Sequence, residues 1–231
     1  MWSLRTQPYS ARMLLRADAP GKDEAVKLSA AQVAQLEQFL EKIKADTYPE
    51  PPSAQHMEIT AKMMDHVFRT CALPQGARVL DTGCGQGVAL QHFVARGCDA
   101  IGVTLNAVDV EACQRQGYQV REMDQSFLDF PDEQFDLVWC RHCLEHSIFP
   151  YFTLHEFWRV LKPAAWLYVE VPAPDTSCKH QQNRNHYSVL GKTMLASLIE
   201  RAGFRMREVL DITFRVPAGP DMYWAFIQQK V

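Results

Sequence analysis

The chain has 231 residues, 47% hydrophobic and 22% charged, with a formal charge of -3. That length accommodates one α/β domain with a modest extra element, and the charge gives no global basic field that would draw it to nucleic acid or an anionic membrane. No run approaches the about 18 apolar residues of a membrane span, and seven cysteines without the dense spacing of a secreted scaffold read as reduced thiols in the cytoplasm.

In chain order, residues 1–28 lack sustained periodicity and read as an irregular arm. Arg5, Arg12 and Arg16, with no acid before Asp18, give it a faint likeness to an organelle transit peptide. Ser29 is placed to cap a helix through Ala45, because Val33, Leu36, Phe39, Leu40 and Ile43 recur on one face. The prolines of Thr47-Tyr48-Pro49-Glu50-Pro51-Pro52 end that helix and make a linker or hinge. A second helix follows over about 53–71, with Met57, Ile59, Met64, Val67 and Phe68 supplying apolar surface. Residues 1–52 are therefore expected to form an arm and helix, a possible lid, on a main domain of residues 53–231.

From Arg78 onward, short β-rich runs alternate with helical patterns, the signature of a parallel sheet with helices on both faces. Strands are expected near 78–82, 99–104, 119–122, 135–141 and 165–171, and helices near 87–96, 107–116, 151–161 and 189–202. Two further strands, about 207–216 and 222–230, have only Val216-Pro217-Ala218-Gly219-Pro220-Asp221 between them. They are expected to pair as an antiparallel hairpin, closing a seven-stranded sheet.

The organising stretch is Arg78-Val79-Leu80-Asp81-Thr82-Gly83-Cys84-Gly85-Gln86-Gly87. Glycines at 83, 85 and 87 leave backbone without side chains where a strand gives way to a helix N-terminus, so a ligand can lie directly on the chain. A dinucleotide fingerprint, G-x-G-x-x-G, requires glycine at position 88, which is Val88.

This acid-led G-x-G-x-G resembles the first motif of the class I S-adenosylmethionine-dependent methyltransferases, in particular the small-molecule group of types 11 and 23. The likeness covers about residues 55–230 and continues in order. Ala100-Ile101-Gly102-Val103-Thr104-Leu105-Asn106 resembles the second strand, Met123-Asp124-Gln125-Ser126-Phe127 the adenine loop, and Asp132 to Arg141 the fourth strand. The resemblance implies a Rossmann-like methyltransferase sheet and S-adenosylmethionine as cofactor. It places Asp81, Gly83, Cys84, Gly85, Thr104, Leu105, Asp109, Asp124, Gln125, Ser126 and Arg141 around that cofactor. The ribose acid usual in the family is replaced by Thr104, so Thr104 and Asp109 are expected to share that role. Cys84 is expected to be a packing residue.

Leu144-Glu145-His146 matches a triplet common in this group, with Glu145 expected to be structural. The polar loop 173–188 carries His180 and His186 and is expected to meet the acceptor. Methyl transfer requires orientation and exclusion of water above all. For a hydroxyl acceptor a base is useful, and His142, His146 and His186 are the candidates. The expected function is methylation of a small-molecule acceptor, most naturally at oxygen. Carbon methylation of a lipid, in the manner of cyclopropane synthases, and a cofactor-binding, non-catalytic partner subunit are the alternatives. Cys140-Arg141-His142-Cys143 with His146 looks like a zinc cluster, but Cys140 belongs to a buried strand and no second CxxC completes it. No metal is expected.

Overall fold

A computed structural model describes residues 3–6, 27–49 and 51–231. The elements run β1 (Ser3–Thr6), α1 (Ala30–Ala45), α2 (Ala54–Thr70), β2 (Arg78–Thr82), α3 (Val88–Ala95), β3 (Asp99–Thr104), α4 (Ala107–Arg115), β4 (Gln119–Glu122), β5 (Phe135–Arg141), α5 (Pro150–Val160), β6 (Leu161–Pro172), α6 (Lys192–Arg201), β7 (Phe204–Val216) and β8 (Gly219–Lys230). Short 3-10 turns cover Leu144–His146 and His180–Gln182.

One sheet carries all described strands in the order β1-β7-β8-β6-β5-β2-β3-β4. Strands β2 to β6 are mutually parallel where they meet, while β8 runs antiparallel to β6 and β7 antiparallel to β8. The chain winds outward from β2 through β3 and β4, then returns to place β5 on the other side of β2. This is the switch point at which open α/β sheets leave a crevice at their carboxyl ends.

The class and topology match expectation, with three differences. The arm was expected to be irregular, yet Ser3–Thr6 is an eighth strand, antiparallel to Leu210–Thr213 of β7. Four residues are too few to show a period, and their pairing depends on a partner some 200 residues away in sequence. Residues 1–2 and 7–26 of that arm, including Arg12 and Arg16, lie outside the described residues. Strand β6 begins directly after α5, because Leu161 already pairs with Phe135, and it absorbs the expected turn with Ala164 at φ 59°. The link within the hairpin shrinks to Pro217 and Ala218, since pairing continues out to Val216 opposite Gly219.

Strand β5 shows why the sheet is buried on both sides. Val138 and Cys140 join the apolar layer of α5 and α6 with Leu154, Phe157, Leu195 and Ile199. Leu137 and Trp139 face the layer of α2 and α3 with Met63, Met64, Val67 and Phe93. Trp139 stacks on Tyr168 at 4.0 Å and meets Phe93 edge-on. Asp136 is structural: it accepts from the Arg78 amide at 2.8 Å and pairs with Lys162. Helix α1 differs. Its capping box closes as the sequence suggests, with the Ser29 amide donating to Gln32 Oε1 at 2.8 Å. Only Ile43 of its apolar face is buried, while Val33 and Phe39 are exposed.

Candidate functional site

A cavity of about 540 Å³ opens at the carboxyl ends of β2, β3, β4 and β5. All fourteen residues that the sequence singled out for cofactor or catalysis line it: Asp81, Gly83, Cys84, Gly85, Thr104, Leu105, Asp109, Asp124, Gln125, Ser126, Arg141, His142, His146 and His186. They come from seven separate stretches of chain.

The glycine loop forms one wall. Gly83 and Gly85 both have positive φ, 68° and 48°, but their surroundings differ. A Cβ on Gly83 would lie 2.4 Å from Cys143 Sγ, so close packing demands glycine there. A Cβ on Gly85 would meet nothing within 4 Å, so that peptide is bare toward the cavity. Gly87, at φ 85°, is the N-cap of α3 and offers no side-chain cap to the helix amides. Cys84 packs under Gly102, where a Cβ would come within 2.6 Å of its sulfur.

The buried acids around this loop are short of partners. Asp81 is 3% exposed and its Oδ2 has no hydrogen-bond partner; burial, with Cys113 adding to it and Arg141 opposing, raises its pKa well above the ordinary carboxylate range. Asp109 lies in the first turn of α4 with Oδ1 equally unpartnered, and burial raises its pKa, with a Gln86 hydrogen bond opposing. Thr104 ends β3 beside it. Past β4, Asp124 Oδ1 accepts from the Ser126 amide at 2.7 Å, which fixes the loop. Gln125 donates to the Cys143 carbonyl at 2.7 Å and leaves Oε1 buried and unpaired. The Ser126 hydroxyl is committed to a buried trio with Ser147 and Thr153, so its side chain braces the wall.

The floor carries a charge network that sequence reading left largely unseen. Arg141, at the end of β5, lies with Nε 2.8 Å from Glu170 Oε1 of β6, both side chains almost wholly buried. Its Nη1 is 2.9 Å from the ring nitrogens of His56 on α2. A guanidinium can only donate, so His56 accepts as a neutral ring; burial and the Arg141 charge push its pKa down to about 3. Glu170 also accepts from Tyr168 Oη, and although burial works against it, Arg141 and His142 bring its pKa to about 2. Neither His56 nor Glu170 was singled out in the sequence. A single acid within an apolar strand, Val169-Glu170-Val171, was the available signal for Glu170; a lone histidine on a helix gave none.

The three candidate histidines are not equivalent. His142 adopts a left-handed φ of 50° and is held from both sides: Nε2 lies 3.1 Å from Glu170 and Nδ1 3.5 Å from the buried Glu145. Burial and Arg141 depress its pKa, but the two carboxylates outweigh them and leave it raised. His186 Nε2 accepts from Asn183 at 3.3 Å while Nδ1 is buried without a partner, and burial lowers its pKa to about 4. His146 donates from Nδ1 to the Asn185 carbonyl at 2.9 Å, which leaves Nε2 as the nitrogen with a free lone pair. Cys140 and Cys143 are both buried, and Cys143 is hydrogen-bonded to Cys140.

The rim joins the expected lid to the expected acceptor loop. Ile43, Tyr48 and Pro51 line the cavity from one side and Asn183 and Tyr187 from the other. Asn183 Nδ2 donates to Tyr48 Oη at 3.4 Å, and Tyr187 Oη to Asp46 at 3.5 Å. No helix among the described residues is long and apolar enough to cross a membrane.

Comparison with known proteins places this geometry. The chain is 30% identical over 118 residues to a ubiquinone biosynthesis O-methyltransferase of Hahella chejuensis, covering 48% of this chain and 49% of that one. It is 28% identical over 140 residues to the 27-O-demethylrifamycin SV methyltransferase of Amycolatopsis mediterranei, covering 55% and 52%. The chain thus spans about half the length of the curated relatives it matches. A solved SAM-dependent methyltransferase from Archaeoglobus fulgidus shares its fold at TM-score 0.60 and 21% identity, over 84% of this chain and 99% of that chain. The methyltransferase-domain family matches residues 54–209, more than half of the sequence, and the chain belongs to that family.

Proposed function

We propose that the chain binds S-adenosylmethionine in this cavity and transfers its methyl group to a hydroxyl of a small-molecule acceptor in the cytoplasm. The observation that carries the reading is Asp81: a buried carboxyl group with an unpartnered oxygen, lining one cavity with the bare peptide of Gly85. Such an acid requires a cationic or hydrogen-bond-donating ligand to be satisfied, and the amino group of S-adenosylmethionine is one. Asp109, with its own unpaired oxygen, and Thr104 suit a pair of ribose hydroxyls, and the Asp124 loop suits the adenine edge. When bound, the cofactor supplies an electrophilic methyl carbon on a sulfonium.

The chain's own residues then position the acceptor, exclude water and remove a proton. Among the histidines, His146 is the base. His142 is clamped between two carboxylates that keep its proton, and the Nε2 of His186 is engaged by Asn183. The hydrogen bond from His146 Nδ1 to Asn185 fixes the tautomer that leaves Nε2 free to accept a proton. The names of the relatives, O-methyltransferases both in ubiquinone biosynthesis and in demethylrifamycin modification, support oxygen over carbon as the acceptor atom. Seven free cysteines support a reducing compartment.

Calorimetry with S-adenosylhomocysteine tests the cofactor, and transfer of a labelled methyl group to a panel of phenols and alcohols tests the acceptor class. Binding that is lost in Asp81→Ala is expected. A folded protein with no affinity for the demethylated cofactor would sink the reading.

A further inference from the structure

In the wall of the same cavity, three chemically different metal donors converge. Cys178 and His180 come from the acceptor loop and Asp221 from the start of β8, and one donor atom of each lies within 4.8 Å of the others. All three line the cavity. We propose that Cys178, His180 and Asp221 form a binding site for a zinc-class divalent cation.

The argument begins with Asp221. Its side chain is 2% exposed, and both carboxylate oxygens lie 3.1 Å from His180 Nε2. It also accepts from the Met222 amide at 2.9 Å, which fixes the carboxylate to the first residues of a strand. The Cys178 thiol lies near this carboxylate as well, with a donor atom of each within 4.8 Å of the other. Lys179, between the two loop donors, takes a left-handed φ of 49°, which turns Cys178 and His180 toward one point although they are two residues apart. The start of the loop is pinned to β8 on either side of Asp221, by Ala173 donating to Met222 at 2.9 Å and Ser177 to Pro220 at 3.2 Å.

The spacing suits a tetrahedral ion. With metal–nitrogen and metal–oxygen distances of about 2.0–2.2 Å, the edge between two such ligands is about 3.3 Å, and the observed His180 to Asp221 separation of 3.1 Å is close to that edge. A set of thiolate, imidazole and carboxylate is borderline in softness, which selects zinc over magnesium or calcium. Three protein ligands leave a fourth position, and the cavity is the side from which a small molecule or water would fill it. Binding replaces the thiol proton, which is released to solvent, with the metal. A second cluster, Glu145, His146 and His186, is also compact. It lacks a thiolate, and this difference separates the two sites experimentally.

The test is titration of tag-free, chelator-stripped protein with cobalt(II), followed by visible absorption, with zinc competition and circular dichroism to confirm folding. The expected result is one equivalent bound with tetrahedral ligand-field bands and a thiolate-to-cobalt charge-transfer band, displaced by zinc. Cys178→Ser abolishes the charge-transfer band, and Cys178→Ser and His180→Ala each weaken binding by more than about 100-fold, the upper end of what losing a mere supporting partner of a ligand produces. His146→Ala retains the band. Failure of the wild-type protein to bind, binding without a thiolate band, or a thiolate band that survives Cys178→Ser overturns the proposal. Loss of binding in His146→Ala, with Cys178→Ser unaffected, overturns it too.

Discussion

Arg141 Nε and Glu170 Oε1 stand 2.8 Å apart with side chains 3% and 0% exposed, an ion pair sealed between two central strands beneath the cavity. Removing one member leaves the other charge buried and uncompensated, which costs about 3–5 kcal/mol. Glu170→Gln is therefore expected to lose that much stability in urea denaturation. The double change Arg141→Leu with Glu170→Leu should lie closer to wild type than the single one, because no uncompensated charge remains.

The network also sets an acid limb. His56 and His186 titrate at about 3 and about 4 in the folded protein, below the ordinary 6.5. The unfolded chain thus binds protons that the folded one refuses, so stability is fully present above about pH 6.5 and falls as pH drops toward 4. Glu170 and Asp221, both depressed to about 2, extend the loss below about pH 4.5. His142 has the opposite sign: its raised pKa adds stability below about pH 6.5 that is lost as pH rises through the folded value. Melting temperature against pH should decline from about 6.5 downward, and His56→Gln should flatten the upper part of that decline. A decline unchanged by that substitution would remove His56 from the account.

Two neighbouring glycines separate stability from binding. Gly83→Ala drives a methyl group against Cys143 Sγ at a positive φ, and the expected loss is about 2–5 kcal/mol. A double-mutant cycle with Cys143→Ala should show a coupling of about 0.5–3 kcal/mol. Gly85→Ala meets no atom within 4 Å and should cost only about 1 kcal/mol of stability. Its methyl group projects over the bare peptide of the proposed cofactor site, so calorimetry should show affinity for S-adenosylhomocysteine reduced by more than tenfold.

The histidine assignment has a kinetic signature. His146→Ala is expected to lower kcat by roughly 100-fold to 10,000-fold, with binding of the demethylated cofactor unchanged. His186→Ala, in contrast, should change KM more than kcat. Equal kcat losses in both variants would assign the proton to a shared network.

The glycine loop, the succession of strands and helices along the chain and the closing hairpin were legible in the sequence because each is written in contiguous residues. Asp81 announces itself by standing two residues before Gly83, the first of the loop glycines, at the end of an apolar run. The floor of the cavity was not legible. His56 and Arg141 are 85 residues apart and meet only when α2 folds across the end of β5. Cys178 drew notice only as one of seven thiols, because its partner Asp221 lies beyond a helix and a strand in the chain. Contacts of this kind follow from the sheet order, which no local pattern encodes.

The short strand at Ser3–Thr6 bears on how the protein behaves in concentrated solution. Leu210–Thr213 would otherwise form the outermost rung of the sheet, a row of free amides and carbonyls on a strand thirteen residues long. Long open edges recruit strands from other molecules. By occupying four of those positions, the amino-terminal segment caps the ladder. A chain trimmed to begin at α1 would keep its cavity and its cores yet present an adhesive border, and its first symptom would be concentration-dependent aggregation.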